Sequence, residues 1–135
     1  MTQPTSEDLE RIPLLASLNE LARERLARRL DVVEFPAGER IVVENSHGSD
    51  LFIIDSGRAT ATQRERGLLR MLRAGDFFGE IALLGKGKRT ATITAETPMV
   101  VWVLRGQAIR TLQVDHPEVT KALVTAMGDR LATDW

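Results

Sequence analysis

Glu80 and Arg89 stand nine positions apart in one segment, Gly75-Asp76-Phe77-Phe78-Gly79-Glu80-Ile81-Ala82-Leu83-Leu84, then Gly85-Lys86-Gly87-Lys88, then Arg89-Thr90-Ala91. The stretch from Glu80 to Leu84 is too short for a strand pair and lies between glycines, which suits a single helical turn set in a loop. The first N–H groups of such a turn have no intrahelical partner and sit at the positive end of its dipole. That end can hold an anion, a phosphate above all. Gly79 allows a ligand close to the backbone. Arg89 returns to the same point across the loop, and its guanidinium can grip two phosphate oxygens at once. A carboxylate beside a phosphate repels it unless something else occupies the carboxylate. A sugar hydroxyl donating to Glu80 would do so, and phosphate with ribose hydroxyl is a nucleotide. Glu80 and Arg89 also fit a plain ion pair closing a turn. With Gly79, the turn and Thr90-Ala91 beside them, they fit a ligand better.

Other constellations carry less. Ser46, His47 and Asp50 are the residue types of a nucleophilic triad, but crowding in one loop says nothing about geometry. His47 and His116 are the only histidines, and no Asp/Glu/His spacing resembles a metal site. The chain has no cysteine, which removes disulfides, thiolate metal ligands and thiol nucleophiles. Phe77 and Phe78 read as core residues, and Lys86 and Lys88 as solvated charges in the spacer. The arginines of 23–29 read as the wet face of a helix.

The elements that must position the segment follow from periodicity. The 135 residues make one domain, 43% hydrophobic and 27% charged, with a net charge of −1 and no basic excess of the kind duplex binders carry. Residues 1–5 read as a disordered polar tail. Ser6 caps a short helix that Pro13 breaks, and Asn19 caps a second whose stripe is Leu18, Leu21, Ala22, Leu26 and Leu30. Short β-branched or alternating runs follow at Val32–Phe35, Arg40–Glu44, Leu51–Asp55, Ala59–Thr62, Leu68–Leu72, Thr90–Ala95 and Met99–Leu104. They are separated by turns such as Pro36-Ala37-Gly38-Glu39, with no helix between most of them, which indicates an antiparallel sandwich or barrel. Gly106–Val114 reads as a short helix. Pro117 opens a last one, striped by Val119, Leu123, Ala126, Met127 and Leu131. The expected fold class is α+β, mainly β: an antiparallel, jelly-roll-like β-roll of about eight strands between N-terminal helices and two C-terminal helices. No apolar run approaches the ~20 residues that span a bilayer, and no secretory leader opens the chain. A bacterial, cytoplasmic protein is the expectation.

Phe78-Gly79-Glu80-Ile81-Ala82-Leu83-Leu84, a four-residue spacer and Arg89-Thr90-Ala91-Thr92 resemble the phosphate-binding cassette of cyclic nucleotide-binding domains. That family includes kinase regulatory subunits, regulators of the catabolite-activator type and gated channels, and the resemblance extends over nearly the whole chain. It implies that Glu80 and the Gly79 amide take the ribose 2′-hydroxyl, that Arg89 pairs with the cyclic phosphate, and that the Ile81, Ala82 and Thr90 amides complete the cradle beside Ala91. It implies for the Thr90 side chain a bond to a syn purine or to the phosphate. Threonine there goes with guanine among the kinases, and serine or threonine with cAMP in many bacterial members, which leaves the base open; cAMP is favoured over cGMP. The base also needs a lid, and the indole of Trp135 can stack on a purine.

The function expected is thus a non-enzymatic cyclic nucleotide sensor that binds no metal or further cofactor. Ligand would draw the cassette inward and move the hinge at Arg105–Val114 and the helix after Pro117. Its output would be an effector domain, a protein partner, or a homodimer through the C-terminal helix, with no nucleic acid bound by these residues. The rival is an interaction module on the same fold that binds no nucleotide. A cupin-type enzyme lacks its histidine cluster.

Overall fold

A computed structural model of the chain describes residues 3–79 and 89–134, the side chains of 129–134 excepted. Three short helices come first: α1 (Ser6–Glu10), α2 (Pro13–Ala16) and α3 (Glu20–Ala27). Eight strands follow among the described residues: β1 (Leu30–Phe35), β2 (Arg40–Val42), β3 (Leu51–Ser56), β4 (Arg58–Gln63), β5 (Gly67–Arg73), β6 (Phe77–Phe78), β7 (Thr92–Ala95) and β8 (Met99–Leu104). The chain then turns helical again in α4 (Gly106–Asp115) and α5 (Pro117–Asp134). The expected α+β class with an antiparallel roll between helices is what the structure has.

The strands form two four-stranded antiparallel sheets, ordered β1-β8-β3-β6 and β2-β7-β4-β5. The first sheet is covered on both faces. In β3, Phe52 and Ile54 point between the sheets while Leu51 and Ile53 point at the helices; in β8, Val101 and Val103 do the former and Trp102 and Leu104 the latter. That is why these two strands read as unbroken apolar runs. The second sheet buries one face only. Ala59, Ala61, Ile93 and Ala95 enter the inter-sheet core, and the threonines between them are left half-buried on the other side. Side chains alternate across a strand, so this Thr/Ala rhythm is the sequence signature of a sheet wet on one side.

The helices close the other face of the first sheet. Leu9, Leu14, Leu15, Leu26, Leu112 and Leu123 are fully buried against it. From α5, Val119, Leu123, Ala126 and Met127 are buried, as the stripe requires, and the helix rests on α2 and α3. Arg25 of α3 pairs with Glu118 at 2.8 Å, and Arg29 reaches Asp115 at 3.9 Å.

The N-terminal reading needs four corrections. Residues 3–5 are not a loose tail. Pro4 is buried, the Gln3 amide donates to the Ala27 and Leu30 carbonyls, and Thr5 rather than Ser6 caps α1 in a reciprocal box with Asp8. Pro13 does not merely break a helix but opens α2 at its first position, where a missing N–H costs nothing. Leu21 is 52% exposed, because α3 is only two turns long and packs through Ala22, Leu26 and Ala27, while Leu30 is already the first residue of β1. Asn19 is the cap expected of it, its side chain accepting from the Ala22 N–H at 2.8 Å.

Candidate functional site

The site lies where the two sheets open toward the loop at 46–50. A cavity there has an apolar wall of Val42, Ala61, Leu72 and Ile93 from the second sheet, with Phe78 opposite, and ends on Gly79, Arg89, Thr90 and Ala91. An apolar slot with one cationic end suits a flat ring carrying an anion.

Arg89 is the chemically distinctive group, at 6% exposure one of two buried polar residues among the described ones. Its guanidinium is placed by backbone. Nη1 donates to the Gly79 carbonyl at 3.1 Å and to the Asp50 carbonyl at 3.3 Å, and Nη2 donates to Asp50 at 3.3 Å. The group lies over the Phe52 ring, 5.7 Å from its centroid, and Phe52 stacks on Phe78 at 4.8 Å with 5° between the planes. The cation–π contact and the carbonyls fix where this buried charge sits, at the end of the cavity. The main chain is pinned as well, since the Arg89 N–H donates to the Ser46 carbonyl and its carbonyl accepts from Asn45, both at 2.8 Å.

Two glycines make room for this cation. Gly79 has φ +81°, and a Cβ there would stand 2.5 Å from the Asp50 oxygen and 2.7 Å from Arg89 Nη1. A Cβ at Gly48 would stand 2.4 Å from Nη2. Gly79 was assigned to ligand approach from the sequence. In the structure its missing side chain accommodates the arginine.

Asp50 joins the site to the helices. While its carbonyl faces Arg89, its carboxylate accepts from the Gly106 N–H at 2.9 Å, capping α4, and from Arg105 at 3.3 Å. Arg105 also donates to Asp31 at 3.0 Å, and that bond, with the one to Asp50, raises its pKa further above an already high value. Gly106 in turn packs so closely on Ser49 that a Cβ would overlap the serine hydroxyl.

The structure therefore brings Gly79, Arg89, Thr90 and Ala91 around one cavity. Glu80, Ile81, Ala82, the expected helical turn and Trp135 lie outside the described residues. Phe78 is core, as read. Ser46, His47 and Asp50 form no triad, because the Ser46 hydroxyl donates to the Val43 carbonyl and Asp50 is committed to α4 and Arg105. Sequence reasoning missed Gly48, Asp50 and Phe52, which house Arg89, and the apolar wall. The available signal was the Gly-Ser-Asp run just before an apolar strand, read instead as a polar loop. Among the described residues, no cluster of three or more His, Asp or Glu could hold a metal ion, and no helix is long and apolar enough to cross a membrane.

Comparison with known proteins agrees with this geometry. A family model described as the cyclic nucleotide-binding domain matches residues 32–116. The cAMP-dependent protein kinase regulatory subunit of Aspergillus fumigatus is 39% identical over 94 residues, which is 69% of this chain and 23% of that protein. The N-terminal domain of a transcriptional regulator from Streptomyces coelicolor is 27% identical with a TM-score of 0.77, over 93% of this chain and 91% of that one. The regulatory domain of Toxoplasma gondii PKA, solved with cAMP, has the same fold at 24% identity and a TM-score of 0.77, over 92% of this chain and 48% of that one. The chain thus spans under a quarter (23%) of the curated relative's length. Fungal sequences dominate the curated relatives, which runs against the bacterial origin expected from the sequence.

Proposed function

The chain belongs to the cyclic nucleotide-binding domain family, and on that premise we propose that it is a non-catalytic sensor of cAMP, preferred over cGMP, whose cyclic phosphate is received by Arg89. The observation that carries this reading is the buried guanidinium of Arg89, held by two backbone carbonyls at the end of an apolar slot. A ring phosphate entering the slot would take charge-assisted bonds from Nη1 and Nη2. The purine would lie along Val42, Ala61, Leu72 and Ile93. Thr90, exposed at the mouth of the cavity, would touch the base or the phosphate. Glu80 and the Gly79 amide would take the ribose 2′-hydroxyl, Ile81 and Ala82 would complete the phosphate cradle, and Trp135 would cover the base.

Signal transmission follows from Asp50. A phosphate that pulls Arg89 toward itself relaxes the Asp50 carbonyl, and the same residue's carboxylate caps α4. Movement of the 46–50 loop therefore reaches α4 and, through it, α5. The ligand shifts these helices only by its different affinity for their two arrangements. The output would be borne by a protein partner, a kinase catalytic subunit in view of the regulatory subunits this chain resembles, or by a second copy through α5. A reducing cytoplasmic setting suits a chain without cysteine.

Calorimetric titration with cAMP and cGMP side by side, with 5′-AMP as the control, tests the proposal. Cyclic-selective binding at micromolar affinity or better, tighter for cAMP, is expected. Absence of heat with every nucleotide would overturn it and leave an interaction module on the same fold.

A further inference from the structure

Among the described residues, the second sheet ends on β5, a seven-residue strand that pairs only with β4. The outward backbone groups of such a strand have no ladder partner. One of them is answered, since the Arg73 N–H donates to the Asp76 carboxylate at 2.9 Å. By strand parity the Met71 N–H points the same way. Met71 is 48% exposed and Leu68 59%, two of the larger apolar side chains left in water.

The charge along this edge is mainly positive. Strands β4 and β5 with the 64–66 turn carry five arginines and one acid, Glu65, in a chain whose net charge is −1. Arg58 and Arg73 are directly opposed in the β4–β5 register, and both are exposed. Like charges in that relation are destabilising. Asp76 pairs with Arg70 at 3.5 Å, but neither it nor Glu96, the other acid in the groove, comes within 4 Å of the Arg58 or Arg73 guanidinium. The fold thus keeps a repulsive pair beside an open strand edge and an apolar side chain.

We propose that the β5 edge docks an extended acidic peptide segment of a partner protein, which adds as a further strand beside β5. Its carboxylates would settle between Arg58 and Arg73, its apolar side chains would cover Met71 and Leu68, and its backbone would complete the ladder. The free edge favours a peptide over a nucleic acid, because only a peptide strand supplies both N–H and C=O at the ladder spacing. The site stands apart from the Arg89 cavity and does not depend on nucleotide binding.

The probe is a fluorescein-labelled, end-capped ten-residue peptide of alternating glutamate and valine, titrated against the whole chain by anisotropy. Saturable binding is expected, weakened at least tenfold by the Arg58→Glu/Arg73→Glu variant and several-fold by Met71→Ala, with the calorimetric cAMP titration unchanged in both. On the unaltered protein, a peptide N-methylated at every second residue should lose at least tenfold, since it cannot extend the ladder. No binding by the parent peptide would overturn the proposal. So would equal binding by the N-methylated peptide, or single-stranded oligo-dT binding as tightly as the peptide, which would mark a plain polyanion patch.

Discussion

Arg89 and Asp50 meet through the backbone of one and the side chain of the other. Both terminal nitrogens of the guanidinium donate to the Asp50 carbonyl at 3.3 Å, while the Asp50 carboxylate points away to cap α4 at the Gly106 N–H. The division separates two tasks in one residue: its main chain holds the Arg89 guanidinium and its side chain caps α4.

Arg89→Ala should cost about 2–5 kcal/mol of cyclic nucleotide binding, the range for losing one partner of a desolvated charge-assisted pair. Arg89→Lys should recover only part of it, because an ammonium cannot bridge two phosphate oxygens as a fork. Calorimetry on both variants decides. Affinity like that of the unaltered chain in the alanine variant would mean that the phosphate sits elsewhere.

Gly48→Ala is a finer probe of the same cation. The three atoms nearest a Cβ there all belong to the Arg89 guanidinium, and Gly48 lacks the positive φ that makes Gly79 intolerant. The expected result is a folded protein with near-normal thermal unfolding and cAMP affinity reduced at least tenfold, because the guanidinium is displaced. Gly79→Ala, at φ +81° and against the Asp50 oxygen, should instead lower stability, by about 1–3 kcal/mol for the backbone strain alone. Thermal melts alongside titrations separate the two effects.

The Asp50 carboxylate is tested by Asp50→Ala. Loss of a helix cap costs about 0.5–2 kcal/mol, and Arg105 keeps Asp31 as its partner. Faster amide hydrogen exchange in the first turn of α4 should accompany a change in cAMP affinity of less than tenfold, since Arg89 uses the carbonyl that alanine retains. A loss of affinity as large as that of Arg89→Ala would show that the two tasks are not separate.

How much of this was legible beforehand depended on distance along the chain. The paired strands β3 and β8 declared themselves because both faces are covered, which leaves an unbroken apolar run. The Thr/Ala alternation of β4 and β7 declared the half-wet sheet. Arg89 and Gly79 stood out because the cassette is contiguous in sequence. Gly48, Asp50 and Phe52 did not, because they reach Arg89 only through folding, across thirty-nine positions in the case of Asp50. Thr5 was passed over as a cap because Ser6, an equally good capping type, adjoins it; the reciprocal bond from Asp8 selects between them.

That bond has a pH consequence. The backbone N–H of Thr5, donating to Asp8 at 2.9 Å, holds the Asp8 carboxyl below its ordinary value; burial opposes it, and the Thr5 hydroxyl and Arg11 add to the lowering. A carboxyl lowered in the folded state contributes stability that is complete above its unfolded value and is lost as pH falls through the folded one. NMR titration of the Asp8 carboxyl should therefore give a midpoint below that of an unstructured aspartate, with the Thr5 amide shift moving in step. A midpoint at or above the unstructured value would contradict the capping box.

Core packing supplies a last check. Leu123 is fully buried where α5 meets the first sheet. Leu123→Ala should cost about 2–5 kcal/mol in chemical denaturation, and a smaller loss would mean that α5 rests loosely on its neighbours.

The register of β1 carries a consequence for how the protein is made. Among the described residues β1 has one neighbour in its sheet, β8, and the pairing runs from Leu30↔Leu104 to Phe35↔Met99. As the chain leaves the ribosome, β1 emerges before β8 with an apolar face and no ladder partner, and must wait until β8 has been synthesised. The β4–β5 hairpin, by contrast, can close as soon as it is out, on a microsecond scale. The second sheet can therefore be seeded before β8 is synthesised, while the first closes only afterwards, and slowing elongation between β1 and β8 prolongs the interval in which β1 is open to aggregation.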